Sequence, residues 1–313
     1  MQDMSDQETF TGVWPVMLTP FDHRREIDWA SLERLIDWYI AAGVHGLFAA
    51  CQSSEIFFLS DAENAALTRF VVDKVDGRVP VVASGHTANA PSQQRDQLSA
   101  IAATGVDGVI LISNRLAMAE DPDEVVLANL AELTDALPKE VPLGVYECPH
   151  PYKRLLSDAA VRWCAASGRY RFIKDTCCDI VRLTRRLSLV AGSPLHIANA
   201  NSQTLLASLK AGAHGFSGVM ANFHPDLYVW LYENWRAQPD KAQRLSHFLS
   251  VAALCESLSY PVCAKDFQVG IGTFTTALCR SRGAGAYFIS HERSTIAQMT
   301  ALERQIRDSL ALA

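Results

Sequence analysis

Arg171-Phe172-Ile173-Lys174-Asp175-Thr176 is a run of strand length. Its alternation places Phe172, Lys174 and Thr176 on one face and Ile173 and Asp175 on the other. Large apolar side chains fall on both faces, the pattern of a parallel strand covered on either side. A lysine set into such a strand is costly, because burial disfavours the ammonium. Desolvation would draw its pKa down from the reference of about 10.4, leaving a free amine able to attack a carbonyl. A plainer role also fits: a strand-edge cation whose stem lies on apolar surface while its ammonium reaches water. The rest of the chain decides between the two.

Seven more strand-like runs accompany this one, over residues 13–19, 46–51, 79–84, 108–113, 143–148, 196–200 and 215–220. Amphipathic helical stretches alternate with them over 31–42, 61–75, 92–104, 122–137, 158–167, 181–191, 204–211 and 225–236. Ser60-Asp61-Ala62-Glu63 is a capping box, and Ser157-Asp158 reads as a helix start with an acidic first turn. Eight uninterrupted strand–helix units imply a parallel sheet and favour a (β/α)8 TIM barrel over an open doubly wound sheet. After residue 236 only helical patterns follow, near 242–257, 262–281 and 294–311. The expected organisation is a barrel over 1–236 with a C-terminal helical extension over 237–313 packed on it.

Composition narrows the function. The chain has 313 residues, 49% hydrophobic and 20% charged, with a formal net charge of −6. Scattered basic residues and an acidic balance argue against nucleic acid or an anionic membrane as a partner. The eight cysteines form no Cys-x-x-Cys pair, and most lie in apolar runs, as reduced core residues of a cytosolic protein do. The acidic, polar stretch Met1–Glu8 does not read as a signal peptide, and no apolar run approaches the ~20 residues of a membrane span. A cytoplasmic location is expected.

Barrel active sites lie where strands end and βα loops begin. Tyr146 stands one βα unit before Lys174, so the two reach comparable heights on adjacent strands ~4.8 Å apart. A phenol beside an imine-forming lysine can carry protons to and from the carbinolamine; alone, Tyr146 is equally a core aromatic with a satisfied hydroxyl. Cys51-Gln52-Ser53-Ser54-Glu55 follows the second strand, and two serines with their amides can hold a carboxylate. Glu55 reads as a structural anchor for that loop. Arg115, Lys153 and Arg154 could bind a distal carboxylate or be solvated loop cations. Asn199, Asn201 and Asn222 could bond sugar-acid hydroxyls or simply form turns. Gly270-Ile271-Gly272 does not open a dinucleotide loop. His45, His86, His196, His214 and His224 lack metal-ligand spacing. Lys265, with no candidate partner, is assigned to the surface, and Cys177-Cys178 to the wall of the site.

Together these residues resemble the dihydrodipicolinate synthase/N-acetylneuraminate lyase family of Schiff-base barrels, over nearly the whole chain. Residues 12–21 look like its first strand. Cys51–Glu55 with Leu59-Ser60 resembles its carboxylate-cradling Gly-Thr/Ser-Thr-Gly-Glu loop. Tyr146-Glu147-Cys148-Pro149 is similar to its Tyr-Asn-x-Pro, and Ile173-Lys174-Asp175 to its Ile-Lys-Asp/Glu. Gly215-Phe216-Ser217-Gly218 with Ala221-Asn222 looks like its eighth strand. Departures bear on the substrate. Gln52 stands where the synthase has a relay threonine, and Ser113-Asn114-Arg115 replaces its tyrosine-bearing segment. Pro151 takes the place of its carboxylate-binding arginine. Asn201-Ser202-Gln203 carries no charge where the lyase has acidic residues.

What the resemblance implies is a class I lyase acting on pyruvate or a longer 2-oxo acid without metal or organic cofactor. Lys174 would be the nucleophile and Tyr146 the general acid/base. Gln52, Ser53 and Ser54 would line the carboxylate end, the Ser217 backbone the imine, and Arg115 the distal end. Aldol cleavage or condensation of a hydroxylated 2-oxo acid is the leading expectation. Dehydration of a keto-deoxy sugar acid, a synthase-like condensation, and a 2-oxo acid sensor without turnover are the alternatives. A homotetramer is implied by the family alone.

Overall fold

The computed structural model describes residues 9–282 and 288–311, so the acidic stretch Met1–Glu8 lies outside the described residues. Eight parallel strands form one sheet: β1 (Gly12–Val13), β2 (Leu47–Phe48), β3 (Val81–Ala83), β4 (Gly108–Ile112), β5 (Leu143–Tyr146), β6 (Tyr170–Asp175), β7 (His196–Asn199) and β8 (Gly215–Phe216). From β2 to β8 each strand pairs with the next in sequence, and β1 pairs with β8 through Gly12↔Gly215. A parallel bridge from Val16 to Phe48 closes the remaining gap, making a (β/α)8 barrel. At the closure the chains approach so tightly that a Cβ on Gly215 would lie 1.9 Å from the Gly12 carbonyl oxygen. Only glycine fits there.

Helices α1 (Trp29–Ala41), α2 (Asp61–Val75), α3 (Pro91–Ala102), α4 (Ser113–Leu116), α5 (Asp123–Ala136), α6 (Asp158–Ser167), α7 (Ile180–Val190), α8 (Leu205–Lys210) and α9 (Pro225–Asn234) connect or follow the strands. The Ser60–Glu63 capping box and the Ser157 cap both form where the sequence placed them. Most strands are shorter than the apolar runs suggested; residues 14–19 and 217–218 leave the ladder as buried loops, and a 3-10 turn (Val219–Asn222) follows the latter. Apolar content reports burial, not pairing, so the two boundaries differ. Ser113, expected at the end of a strand over 108–113, instead opens the one-turn α4. In the tail, α10 (Pro239–Ala252) runs into a 3-10 turn (Ala253–Ser257), α11 (Val262–Gly270) stops eleven residues before the expected 281, and α12 (Ser290–Leu310) ends the described chain. Among the described residues no helix is long and apolar enough to cross a membrane.

The barrel interior carries an aromatic column. Phe10 stacks on Trp14, Trp14 leans on Phe172, and Phe172 meets Phe48 edge-on. Phe48 in turn meets Tyr146 at 5.8 Å, so the column rises to the strand ends.

Buried histidines give the fold an acid limit. The Ile112 N–H donates to Nδ1 of His86 at 3.1 Å, so the ring proton sits on Nε2 and faces the Gln94 oxygen at 2.8 Å. Burial, with Arg115 nearby, lowers its pKa to about 4, and burial with the neighbouring His214 does the same for His196. The unfolded chain takes up these protons below its ordinary value near 6.5, whereas the folded protein resists until about 4. Stability therefore falls as pH drops from about 6.5 to 4, each histidine costing on the order of 3 kcal/mol at the lower end. Thermal unfolding between pH 7 and 4 tests this, and His86→Gln should flatten the slope.

Candidate active site

Register delivers the central pair. Tyr146 ends β5 directly opposite Lys174 on β6, and both side chains enter a cavity of about 430 Å³ at the C-terminal end of the barrel. The Lys174 Nζ lies 4.2 Å from the centroid of the Tyr146 ring and 5.9 Å from that of Phe48. Lys174 is 3% exposed, and its amine has no hydrogen bond or ion pair to any described residue. Burial lowers its pKa, against a partial upward pull from Cys51, Cys148 and Glu256. Burial likewise holds the Tyr146 phenol well above 10, with the Cys148 and Cys51 thiols adding to the effect. An amine biased towards its free form beside a phenol kept protonated is a nucleophile beside a proton donor.

The loop after β2 forms a 3-10 turn over Gln52–Ser54. Gln52 enters the cavity, where its Oε1 faces both the Tyr146 hydroxyl and the Cys148 thiol at 3.4 Å. Ser53 also lines the cavity, and its Oγ accepts from the Tyr260 hydroxyl at 2.8 Å.

Three expected binding residues are placed otherwise. Ser54 turns away from the cavity, its hydroxyl meeting the carbonyls of Met17 and Ala49 at 2.7 and 2.8 Å. Ser217 is buried with its N–H donated to Asn199, and the cavity wall is made instead by Gly218 and Val219. Arg115 lies outside, over the Phe57 ring and bonded to Asn89 at 2.6 Å. Of the other candidate cations, Lys153 reaches the cavity but donates a hydrogen bond to the Thr176 carbonyl, whereas Arg154 binds the carbonyls of residues 118, 119 and 121. Asn199 and Asn222 are spent on internal bonds, and Asn201 and Cys178 line the wall.

Three cavity residues were missed, Glu256, Ser257 and Tyr260, all from the tail. Their signal was the polar, non-periodic stretch Glu256-Ser257-Leu258-Ser259-Tyr260-Pro261 breaking an otherwise helical region. Lys265 is also corrected: it is fully buried, its ammonium 2.5 Å from Glu55 and 2.9 Å from the Leu278 carbonyl. Glu55 also accepts from the Ser281 N–H, so it anchors the loop as expected, and ties it to the tail.

Behind the pair lies a buried ionic knot. Glu147 and Asp175, the residues after Tyr146 and Lys174, both bind Arg186 from α7. Glu147 also accepts from the Thr176 and Leu156 N–H groups at 2.9 and 2.7 Å. Two strand tips are thereby clamped to one guanidinium.

The family model for the Dihydrodipicolinate synthetase family matches residues 9–271. The 4-hydroxy-tetrahydrodipicolinate synthase of Methanospirillum hungatei is 26% identical over 241 residues, covering 76% of this chain and 81% of that protein. The protein named "Putative 2-dehydro-3-deoxy-D-gluconate aldolase YagE" of Escherichia coli K12 is 30% identical over 237 residues, covering 74% and 76%. The crystal structure of YagE in complex with pyruvate superposes with a TM-score of 0.83 at 24% identity, covering 95% of this chain and 99% of that one.

Proposed function

The chain belongs to the dihydrodipicolinate synthetase family of lyases and synthases, and on that premise we propose that it is a class I aldolase for a hydroxylated 2-oxo acid. The observation that carries this reading is the unpartnered Lys174 amine buried 4.2 Å from the Tyr146 ring. The amine attacks C2 of the 2-oxo acid, and Tyr146 passes a proton to the carbinolamine hydroxyl, which leaves as water. In the resulting imine the C3–C4 bond breaks as the C4 hydroxyl gives up its proton. The aldehyde departs, its bonding pair enters the imine as an enamine, C3 is protonated, and water releases pyruvate. Ser53 holds the carboxylate end. No metal or organic cofactor enters this scheme.

Cleavage of a hydroxylated acid is favoured over synthase-type condensation by Gln52, which occupies the relay position, and by Arg115, which is turned out of the cavity. The name of the YagE relative and the pyruvate in its crystal structure support the same substrate class. Dehydration of a keto-deoxy sugar acid through the same imine would release no aldehyde, so product analysis separates the two. The testing experiment is incubation with pyruvate and borohydride, then intact mass and peptide mapping. A reduced pyruvyl adduct at Lys174 is expected, and absence of any adduct would overturn the imine. Tyr146→Phe should keep the fold and slow turnover by about 10²-fold or more. Parental rates would reduce Tyr146 to a packing role.

A further inference from the structure

Glu256 is the one carboxylate among the described residues that line the cavity. It sits on the 3-10 turn Ala253–Ser257, beyond the barrel proper, and has no hydrogen bond or ion pair to any described residue. It is near enough to Lys174 for each to shift the other's charge. Partial burial at the cavity wall raises its pKa and Lys174 opposes that rise. Nothing in the imine chemistry above uses it. Glu256 is solvent-exposed and lines the cavity with no partner among the described residues, so its carboxylate can exchange bound water for the donors of a ligand.

The charges around it decide which donor. Lys153 already places a basic side chain in the same cavity, which disfavours a cationic ligand tail. Lys153 is drawn back to the Thr176 carbonyl, so the Glu256 charge faces the cavity without a bonded counterion. A tail ending in a carboxylate would meet that charge directly. Hydroxyl groups would donate to it without introducing a charge.

We propose that Glu256 selects the substrate tail, accepting hydrogen bonds from an uncharged hydroxylated chain and rejecting one that ends in a second carboxylate. The assignment rests on the reading of Lys174 as the imine-forming residue, and it makes the C-terminal extension the specificity element of the barrel.

Borohydride trapping tests this without requiring turnover. The concentration giving half-labelling of Lys174 is measured by intact mass for three probes: pyruvate, 2-dehydro-3-deoxy-D-gluconate and 2-oxoadipate. Pyruvate has no tail, so dividing by its value removes any general effect on lysine reactivity. In the parent, the hydroxylated acid should label at a concentration about tenfold or more below 2-oxoadipate. Glu256→Gln removes the charge and keeps the size, and should narrow that ratio about tenfold, chiefly by improving 2-oxoadipate. Glu256→Ala should weaken the hydroxylated acid relative to pyruvate. A parental preference for 2-oxoadipate, or a ratio unchanged in both variants, overturns the proposal while leaving the imine intact. Failure of all three probes to label Lys174 overturns the imine reading and this inference with it.

Discussion

Lys174→Ala is expected to abolish the borohydride-trapped pyruvyl adduct and to lower turnover by about 10⁴-fold or more, since the other amine of the cavity, Lys153, is held by the Thr176 carbonyl. Lys174→Arg separates charge from nucleophilicity: the guanidinium stays protonated and cannot attack a carbonyl, so it should be equally inactive. Stability should move the other way. The lysine is 3% exposed, and its burial against Phe48 and Tyr146 penalises the ammonium. Lys174→Met, which keeps the stem and deletes the charge, should unfold at the same temperature as the parent or higher. An inactive variant at least as stable as the parent is the signature of a residue kept for chemistry. A variant that loses stability while still trapping pyruvate would place the nucleophile elsewhere and make Lys174 structural.

Arg186→Met should cost about 3–5 kcal/mol of stability, because it leaves Glu147 and Asp175 buried beside each other without their shared cation. That is a large part of the ~5–15 kcal/mol typical of a folded protein. Its pH dependence is distinctive. Burial holds the Glu147 carboxyl above the usual range even with Arg186 present, and removing the guanidinium raises it further. A carboxyl whose folded pKa is raised costs stability at high pH, and the cost is relieved as pH falls and the group is protonated. The stability gap between variant and parent should therefore shrink from pH 8 to pH 5, although the parent itself is losing stability to His86 and His196 over the lower part of that range. Replacing all three members together, with Glu147→Gln and Asp175→Asn, should recover part of the loss. Urea unfolding at the two pH values checks both expectations. A gap that does not change with pH would mean that packing of the arginine stem, and not its charge, holds the strand tips.

The knot also shows why the strands carrying Tyr146 and Lys174 were easy to read and their support was not. Glu147 stands where the family's Tyr-Asn-x-Pro motif has asparagine, and Asp175 fits the acidic position of its Ile-Lys-Asp/Glu motif. Neither residue points along the chain to α7. Their meeting with Arg186 depends on how a helix turns its face to the sheet.

The sequence by itself determined what local periodicity controls. Eight apolar runs alternating with amphipathic stretches specify a parallel barrel, because a strand covered on both faces must be apolar on both. The two-residue repeat puts Lys174 and Phe172 on one face, and one βα unit brings Tyr146 to the same height; strand rise and interstrand spacing are constants, so this pair was legible in one dimension. Tertiary structure alone decided where the long-range partners fell. Ser54 looked like a ligand donor, yet the carbonyls of Met17 and Ala49 claim its hydroxyl. Arg115 looked like an anion site, yet Phe57 and Asn89 hold it outside. Lys265 looked exposed until Glu55, 210 residues away in the chain, closed over it. Glu256 and Tyr260 join the cavity because the extension folds back over the strand ends. A buried polar group takes whichever partner the packed chain brings within hydrogen-bonding distance, and that choice is made by contacts between distant segments.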